Sequence, residues 1–163
     1  MNAIADRVAL REITADTVIP VTRLAVTEYQ NRFVAPNSVS LAQALFAPEA
    51  WYRAIYLAEE PVGFVMLFDE SLRQPAPEHP EITVWRFMVD AMHQRKGIGR
   101  RAMELVIEHA RSKRFTRLKL SYVPGDGGPE PLYRSMGFRP TGEMDGDEVV
   151  MELSLTPGGS RRG

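Results

Sequence analysis

Gln94-Arg95-Lys96-Gly97-Ile98-Gly99-Arg100 is the stretch that decides how this 163-residue chain is read. It stands between a β-branched and aromatic run ending at Val89 and an amphipathic segment that starts at Gly97. Glycines at such a junction let the backbone curl, so that successive N–H groups and the start of a helix converge on one point, which is an anion site. Arg95, Lys96, Arg100 and Arg101 add formal charge around it, and the whole fits a pyrophosphate. The stretch lacks the Gly-Lys-Ser/Thr ending of a P-loop, and Ala102 stands where a dinucleotide fingerprint has its third glycine. NTP hydrolysis and dinucleotide binding are disfavoured on that ground.

Working outward, Glu81 to Val89 reads as a strand, with Glu81, Thr83, Trp85, Phe87 and Val89 on one face if no bulge intervenes. Gly97 to Arg114 is the strongest helix, with Ile98, Ala102, Leu105, Val106, His109 and Ala110 as its buried stripe. Arg117 to Val123 is a strand, Pro124 to Pro129 a Gly-rich loop, and Leu132 to Met136 a short helix that Gly137 terminates. Phe138 to Gly142 and Val149 to Leu155 flank the hairpin signal Asp145-Gly146. Upstream, Val8 to Ile13 is a first strand, and Asp16 or Thr17 caps a helix that runs to Glu28 and Tyr29. Ser40 caps a second helix, Leu41 to Phe46. Tyr52 to Ala58 and Val62 to Phe68 form a hairpin, and Arg73 to Pro80 is an irregular exposed loop. Thr156 to Gly163 is a Pro/Gly/Ser/Arg tail expected to be disordered, which leaves residues 1–155 as one domain of α+β or mixed α/β class.

The chain has 20 Lys plus Arg against 21 Asp plus Glu, a balance that argues against a protein built to coat nucleic acid. Split by position, Met1–His93 sums to −5, Gln94–Lys119 to +7 and Leu120–Gly163 to −3. One basic block between acidic flanks suggests an anionic ligand on one side and a cationic one on the other; a solvated, arginine-rich helix face gives the same sums. There is no cysteine, hence no disulfide, no thiol nucleophile and no Cys-based metal site. His79, His93 and His109 lack metal-ligand spacing, and no metal is expected. The longest apolar run, Val62 to Phe68, is too short to span a membrane, and Asp6 and Arg7 fall where a secretory leader has its apolar centre, so a cytoplasmic address and no membrane partner are expected.

Downstream of the glycine turn comes Tyr133-Arg134-Ser135-Met136-Gly137-Phe138, preceded by Pro124-Gly125-Asp126-Gly127-Gly128. These two features, in this order and at this distance, resemble the GNAT N-acetyltransferase superfamily, and the likeness in element order covers nearly the whole chain. The resemblance implies an acetyl-CoA-dependent enzyme with a mostly antiparallel, splayed central sheet of about seven strands and helices on both faces. Gln94, Arg95, Lys96, Gly97, Ile98, Gly99 and Arg100 would then hold the cofactor pyrophosphate. Phe87, Met88 and Val89 would pair with its pantetheine arm like an added strand, their N–H groups steadying the oxyanion. Asp126 stands where the family usually has an asparagine that contacts the cofactor, and an ionised Asp has no hydrogen to donate. Tyr133 matches the tyrosine that faces the sulfur as general acid. A phenol near pKa ~10 giving its proton to a thiolate near ~8.5 is uphill by about 2 kcal/mol, so hydrogen bonding to the leaving sulfur competes with full transfer as its role.

An amine acceptor must lose a proton before it attacks. Some polyamine acetyltransferases have a Glu at the position of Trp85; here the candidates for the base are Glu81, two pleats away, and Glu28 on the first helix. Glu28 and Trp85 are also candidates for acceptor binding, Trp85 through a cation–π contact or simply as core. The N-terminal half, from Gln30 and Phe33-Val34-Ala35-Pro36-Asn37 to Trp85-Arg86-Phe87-Met88-Val89-Asp90, resembles the bacterial diamine or spermine/spermidine acetyltransferases. The acceptor side implied by that resemblance is the acidic −5 half, which suits a polyamine cation. A protein N-terminus, an amino acid, an antibiotic amine or a non-catalytic acetyl-CoA sensor stay open as alternatives. Homodimers are common in the superfamily, and the sequence marks no patch for one.

Overall fold

The apolar stripe that begins at Ile98 organises the molecule. In the computed structural model, which describes residues 3–156, α3 (Ile98–Ser112) buries Ile98, Ala102, Met103, Val106, Ile107 and Ala110 against a sheet. Met103 and Ile107 widen the expected stripe, each contributing about 1.5–3 kcal/mol by burial. Leu105 is only partly buried, and His109 stacks on Trp51 at 4.1 Å rather than joining the core outright. The other elements are β1 (Val8–Arg11), α1 (Val18–Arg23), α2 (Asn37–Ala44), β2 (Ala50–Leu57), β3 (Glu60–Asp69), β4 (Ile82–Val89), β5 (Arg117–Tyr122), α4 (Glu130–Ser135), β6 (Arg139–Asp145) and β7 (Glu148–Ser154). The sheet has seven strands in the order β1-β2-β3-β4-β5-β7-β6. Every neighbouring pair is antiparallel except β4 and β5. The α+β class and splayed sheet expected from the sequence are therefore present. Of the tail expected over Thr156 to Gly163, residues 157–163 lie outside the described residues.

Strand alternation sends successive side chains to opposite faces, and two cores result. On one face Ile55, Val65, Leu67, Val84, Leu118 and Leu120 pack against α3. On the other, Ala54, Tyr56, Phe64, Met66 and Met88 pack under α1 and α2 through Val21 and Leu41. β4 changes phase between them. Met66 pairs with Arg86 but Leu67 with Val84, so Trp85 is an extra, bulged residue. Val84, Phe87 and Val89 thereby face α3, while Trp85, Arg86 and Met88 face α1 and α2. The single face expected from Glu81 to Val89 is overturned by this bulge, and Glu81 itself precedes the strand.

Two helices also differ from expectation. α1 stops at Arg23, and Leu24 is extended (ψ 134°), because Ala25 is tied to the far end of β4. Its N–H donates to Asp90 Oδ1 at 2.9 Å, and its carbonyl accepts from Ala91 N at 2.9 Å. Glu28 thus sits not on the first helix but at the start of a separate 3₁₀ turn, Tyr29–Arg32. α2 starts at Asn37, behind Pro36, and Ser40 is interior to it, its hydroxyl donating back to the Pro36 carbonyl at 3.4 Å. Buried Asn37 donates to the Val21 carbonyl at 2.9 Å and locks the two helices together.

Candidate active site

β4 and β5 are hydrogen-bonded neighbours only at Thr83–Lys119 and Val84–Leu120. Past Val84 they part. The gap is a cleft of about 820 Å³ that opens onto both faces of the sheet, with Phe87, Met88 and Val89 along one bank and Ser121, Tyr122 and Val123 along the other. Phe87, Met88 and Val89 hydrogen-bond to β3 on one side, and on the β5 side no strand meets them. That free strand edge is what an extended ligand arm needs.

At the open end the chain turns through Arg95 (φ 63°) and Gly97 (φ 81°) before α3 begins. Among the described residues, the N–H groups of Arg95, Lys96 and Gly97 meet no protein acceptor, and the first N–H groups of α3 have none within the helix. Gln94, Arg95, Gly97, Gly99 and Arg100 line the cleft, whereas Lys96 is exposed beside it and Ile98 is buried in the α3 core as the anchor of the turn. A Cβ on Gly99 would lie 3.7 Å from Val89 and 3.8 Å from Leu132, filling the cleft where the helix starts. Gln94 fixes the turn in place: its amide donates to the Val89 carbonyl at 2.9 Å and to Gln30 Oε1 at 2.8 Å, while Gln30 Nε2 returns a bond at 3.0 Å. Arg100 is held by Ser135 Oγ at 2.7 Å. Bare N–H groups, a positive helix end and two arginines form a donor set that suits a pyrophosphate, so the residues present fit the cofactor that the sequence implied.

Tyr133 stands across the cleft on α4, where Pro131 opens the helix and Gly137 (φ 101°) closes it. Its ring is buried between Tyr122 at 6.4 Å and Phe138 at 5.9 Å. The hydroxyl has no protein hydrogen-bond partner among the described residues, and burial pushes the phenol above its ordinary value. Of the other expected site residues, Trp85 lines the cleft on the α1/α2 side. One cation is already near its ring, since the Arg86 guanidinium lies 5.5 Å from the ring centroid.

Three more of the expected site residues are absent from the cleft lining. Glu81 lies beyond the closed end of the cleft, where the Thr83–Lys119 and Val84–Leu120 pairing joins β4 to β5, and is ion-paired to Lys119 at 3.1 Å and Arg117 at 3.5 Å. Glu28 is exposed and outside the cleft lining, since α1 ends early. Asp126 is exposed; its carbonyl accepts from the Tyr29 hydroxyl at 2.6 Å, while Gly127 and Gly128 are the parts of that loop that reach the cleft. A Cβ on Gly125 would come within 2.8 Å of the Arg32 guanidinium tip, which would have to move aside.

Glu148 was not singled out in the sequence. It is the sole carboxylate lining the cleft, it is half-buried, and it makes no ion pair or hydrogen bond through its side chain among the described residues. A detectable signal existed: β7 alternates, with Val149 and Met151 packed toward α3, so Glu148 at its start faces the other way. Against it stand four cleft arginines, Arg32, Arg86, Arg95 and Arg100. The acidic excess of the N-terminal half does not face the cleft. Two of its carboxylates pair with cations of the basic block instead, Asp69 with Lys113 and Glu81 with Lys119 at 3.1 Å and Arg117 at 3.5 Å.

The sheet is split between its two parallel strands, and a glycine turn with free N–H groups stands at one end of the split. Residues 18–138 match the family described as "Acetyltransferase (GNAT) family", and the chain belongs to it. It is an acetyltransferase. A spermine/spermidine N(1)-acetyltransferase from Bacillus subtilis strain 168 is 27% identical over 150 residues, covering 88% of this chain and 96% of that protein. Among solved structures, the ribosomal-protein-S18-alanine N-acetyltransferase from Escherichia coli superposes with a TM-score of 0.66 at 18% identity, over 94% of this chain and 97% of that one. A GNAT family acetyltransferase from Elizabethkingia anophelis with acetyl-CoA bound gives 0.63 at 17% identity, over 91% and 99%. At these identities the structural likeness is one of fold. Among the described residues no helix is long and apolar enough to cross a membrane.

Proposed function

We propose that the chain is a cytoplasmic N-acetyltransferase that moves the acetyl group of acetyl-CoA onto a primary amine by direct attack, with residues 1–155 acting as one catalytic domain. The observation that carries this reading is the split between β4 and β5, which has the glycine turn at one end and the unpartnered Tyr133 hydroxyl on its bank. Acetyl-CoA supplies the activated acyl group as a thioester. The turn at Gln94–Arg100 grips the phosphates through backbone N–H groups, with Arg95 and Arg100 adding charge, and the free edge of Phe87–Val89 aligns the extended arm. A C–N bond forms and the C–S bond breaks; starting from the ammonium, the nitrogen gives up two protons, one released to solvent and one that ends on the CoA thiol.

Tyr133 is assigned to the departing sulfur as a hydrogen-bond donor. Donation of the whole proton is uphill already for an ordinary phenol, and burial that raises its pKa increases the gap, so stabilisation by the O–H is the better description. Glu148 replaces Glu81 and Glu28 as the carboxylate of the site. An ammonium is not nucleophilic, so the acceptor attacks as the free amine once it has given up a proton to solvent, and Glu148, the carboxylate lining the cleft, holds and orients the amine end. A polyamine acceptor is the reading that the name of the Bacillus relative supports. The cleft itself supports one ammonium site.

Release of CoA thiol, followed with acetyl-CoA and a panel of polyamines, amino acids, peptides and aminoglycosides, tests the reading; the cysteine-free chain adds no background thiol. Double-reciprocal initial-rate lines should intersect. Parallel lines, the mark of an acyl-enzyme, would overturn direct transfer.

A further inference from the structure

We propose that the acceptor is a small amine that also carries a carboxylate, its ammonium held by Glu148 and its carboxylate by Arg86. This rests on the acetyl-transfer reading above and narrows it to a substrate class.

The two side chains share one side of the split. The bulge at Trp85 puts Arg86 on the α1/α2 face, where Met66, its partner in β3, also points, and where its Nη2 donates to Gln43 of α2 at 3.1 Å. On the opposite bank Val149 pairs with Tyr122 and packs toward α3, so Glu148, one residue earlier in β7, points to the α1/α2 face as well. The charges face the same volume and are not paired with each other, since no ion pair joins them within the 4.0 Å that defines one. They nevertheless feel one another: burial lowers the Arg86 pKa and the field of Glu148 raises it.

The state of Arg86 is what points to an anion. It is half-buried, and its two hydrogen bonds go to neutral oxygens, the Trp85 carbonyl at 3.0 Å and Gln43 Oε1 at 3.1 Å. Those contacts orient the guanidinium without neutralising it. A guanidinium has five N–H donors, and two bonds leave donors on both terminal nitrogens, the arrangement that takes a carboxylate. Buried charges are ordinarily matched by an opposite charge, and here the protein provides none in contact. A polyamine fits the same wall poorly. Once one ammonium is on Glu148, a second would lie in a volume whose remaining charge is the cation of Arg86, and the cleft offers no second carboxylate. An amine with a carboxylate satisfies both banks at once.

The test sets amino acids against the amines left when their carboxylate is removed, lysine against cadaverine and ornithine against putrescine, with spermidine alongside, and reads kcat/KM from CoA thiol release. We expect each amino acid to exceed its decarboxylated partner by roughly tenfold or more, as for a charge-assisted contact. Arg86→Gln should collapse that ratio toward one, Arg86→Lys should retain part of it, and Glu148→Gln should raise KM for both members of a pair. Melting temperatures identify a variant that fails to fold, and the wild-type ratio alone then decides. Preference for cadaverine, putrescine or spermidine over the amino acids overturns the proposal, as does a ratio that Arg86→Gln leaves unmoved. If acetyl-CoA binds and no amine of either kind releases thiol, the acetyl-transfer reading itself falls, and this proposal with it.

Discussion

At one end of the cleft the wall is backbone: Arg95 and Gly97 at positive φ, the bare N–H groups of the turn, and the unpaired edge of β4. At the other end it is side chains: Trp85 and Arg86 from β4 and Glu148 from β7, with the turn Tyr29–Arg32 closing the mouth. The first wall is written within a few consecutive residues, because the shape of a turn depends on local φ and ψ. The second is assembled from strands far apart in the chain, and its composition depends on register. A backbone wall recognises a constant ligand, and a side-chain wall is free to change acceptor without disturbing it.

The largest effect should come from the residue between the two walls. Tyr133→Phe is expected to lower turnover by roughly tenfold or more while leaving acetyl-CoA binding by calorimetry unchanged. An equal loss in both would mean that the tyrosine belongs to the cofactor wall as packing. Because burial raises this phenol, ionisation of Tyr133 should cause no fall in the wild-type rate up to about pH 10, the ordinary phenol value.

A smaller effect isolates the backbone wall. At φ 81°, Gly97→Val forces a β-branched residue into the left-handed region at a cost of about 1–2 kcal/mol, or rotates the turn out of it. Acetyl-CoA Kd should rise by roughly tenfold, with the acceptor KM little changed. A change confined to the acceptor would break the division between the walls.

The smallest effect concerns the link between them. The Gln94–Gln30 amide pair joins the glycine turn to the acceptor mouth through two reciprocal bonds, at 2.8 and 3.0 Å. Gln94→Ala also frees the Val89 carbonyl, and it should cost about 1–2 kcal/mol of stability in denaturant unfolding. Acetyl-CoA Kd and acceptor KM should both rise, by less than in the single-wall variants. No effect on either would show the walls to be independent.

Much of the fold was legible. The stripe of α3, the glycine turn, the Tyr133 motif and the terminal hairpin all rest on periodicities or turn residues within one element, where local physics suffices. The errors have a common origin in long-range contact. Helix α1 stops early because Ala25 is captured by Asp90 and Ala91, residues that no local pattern connects to it. The summed charge of the N-terminal half does not mark the cleft, because a segment total carries no position: none of its carboxylates lines the cleft.

By itself the sequence determined the glycine turn ahead of α3 and the exclusion of thiol chemistry, since each follows from residue identity and near-neighbour geometry, and the family resemblance singled out Tyr133. Only the tertiary structure decided which charged side chains line the cleft on its α1/α2 side. One bulged residue at Trp85 turns Arg86 toward α1 and α2, and the alternation of β7 sets Glu148 on that same side. The side-chain period of a strand is two residues, so a single insertion reverses the face of everything beyond it, and a bulge becomes visible only when the partner strand is in place.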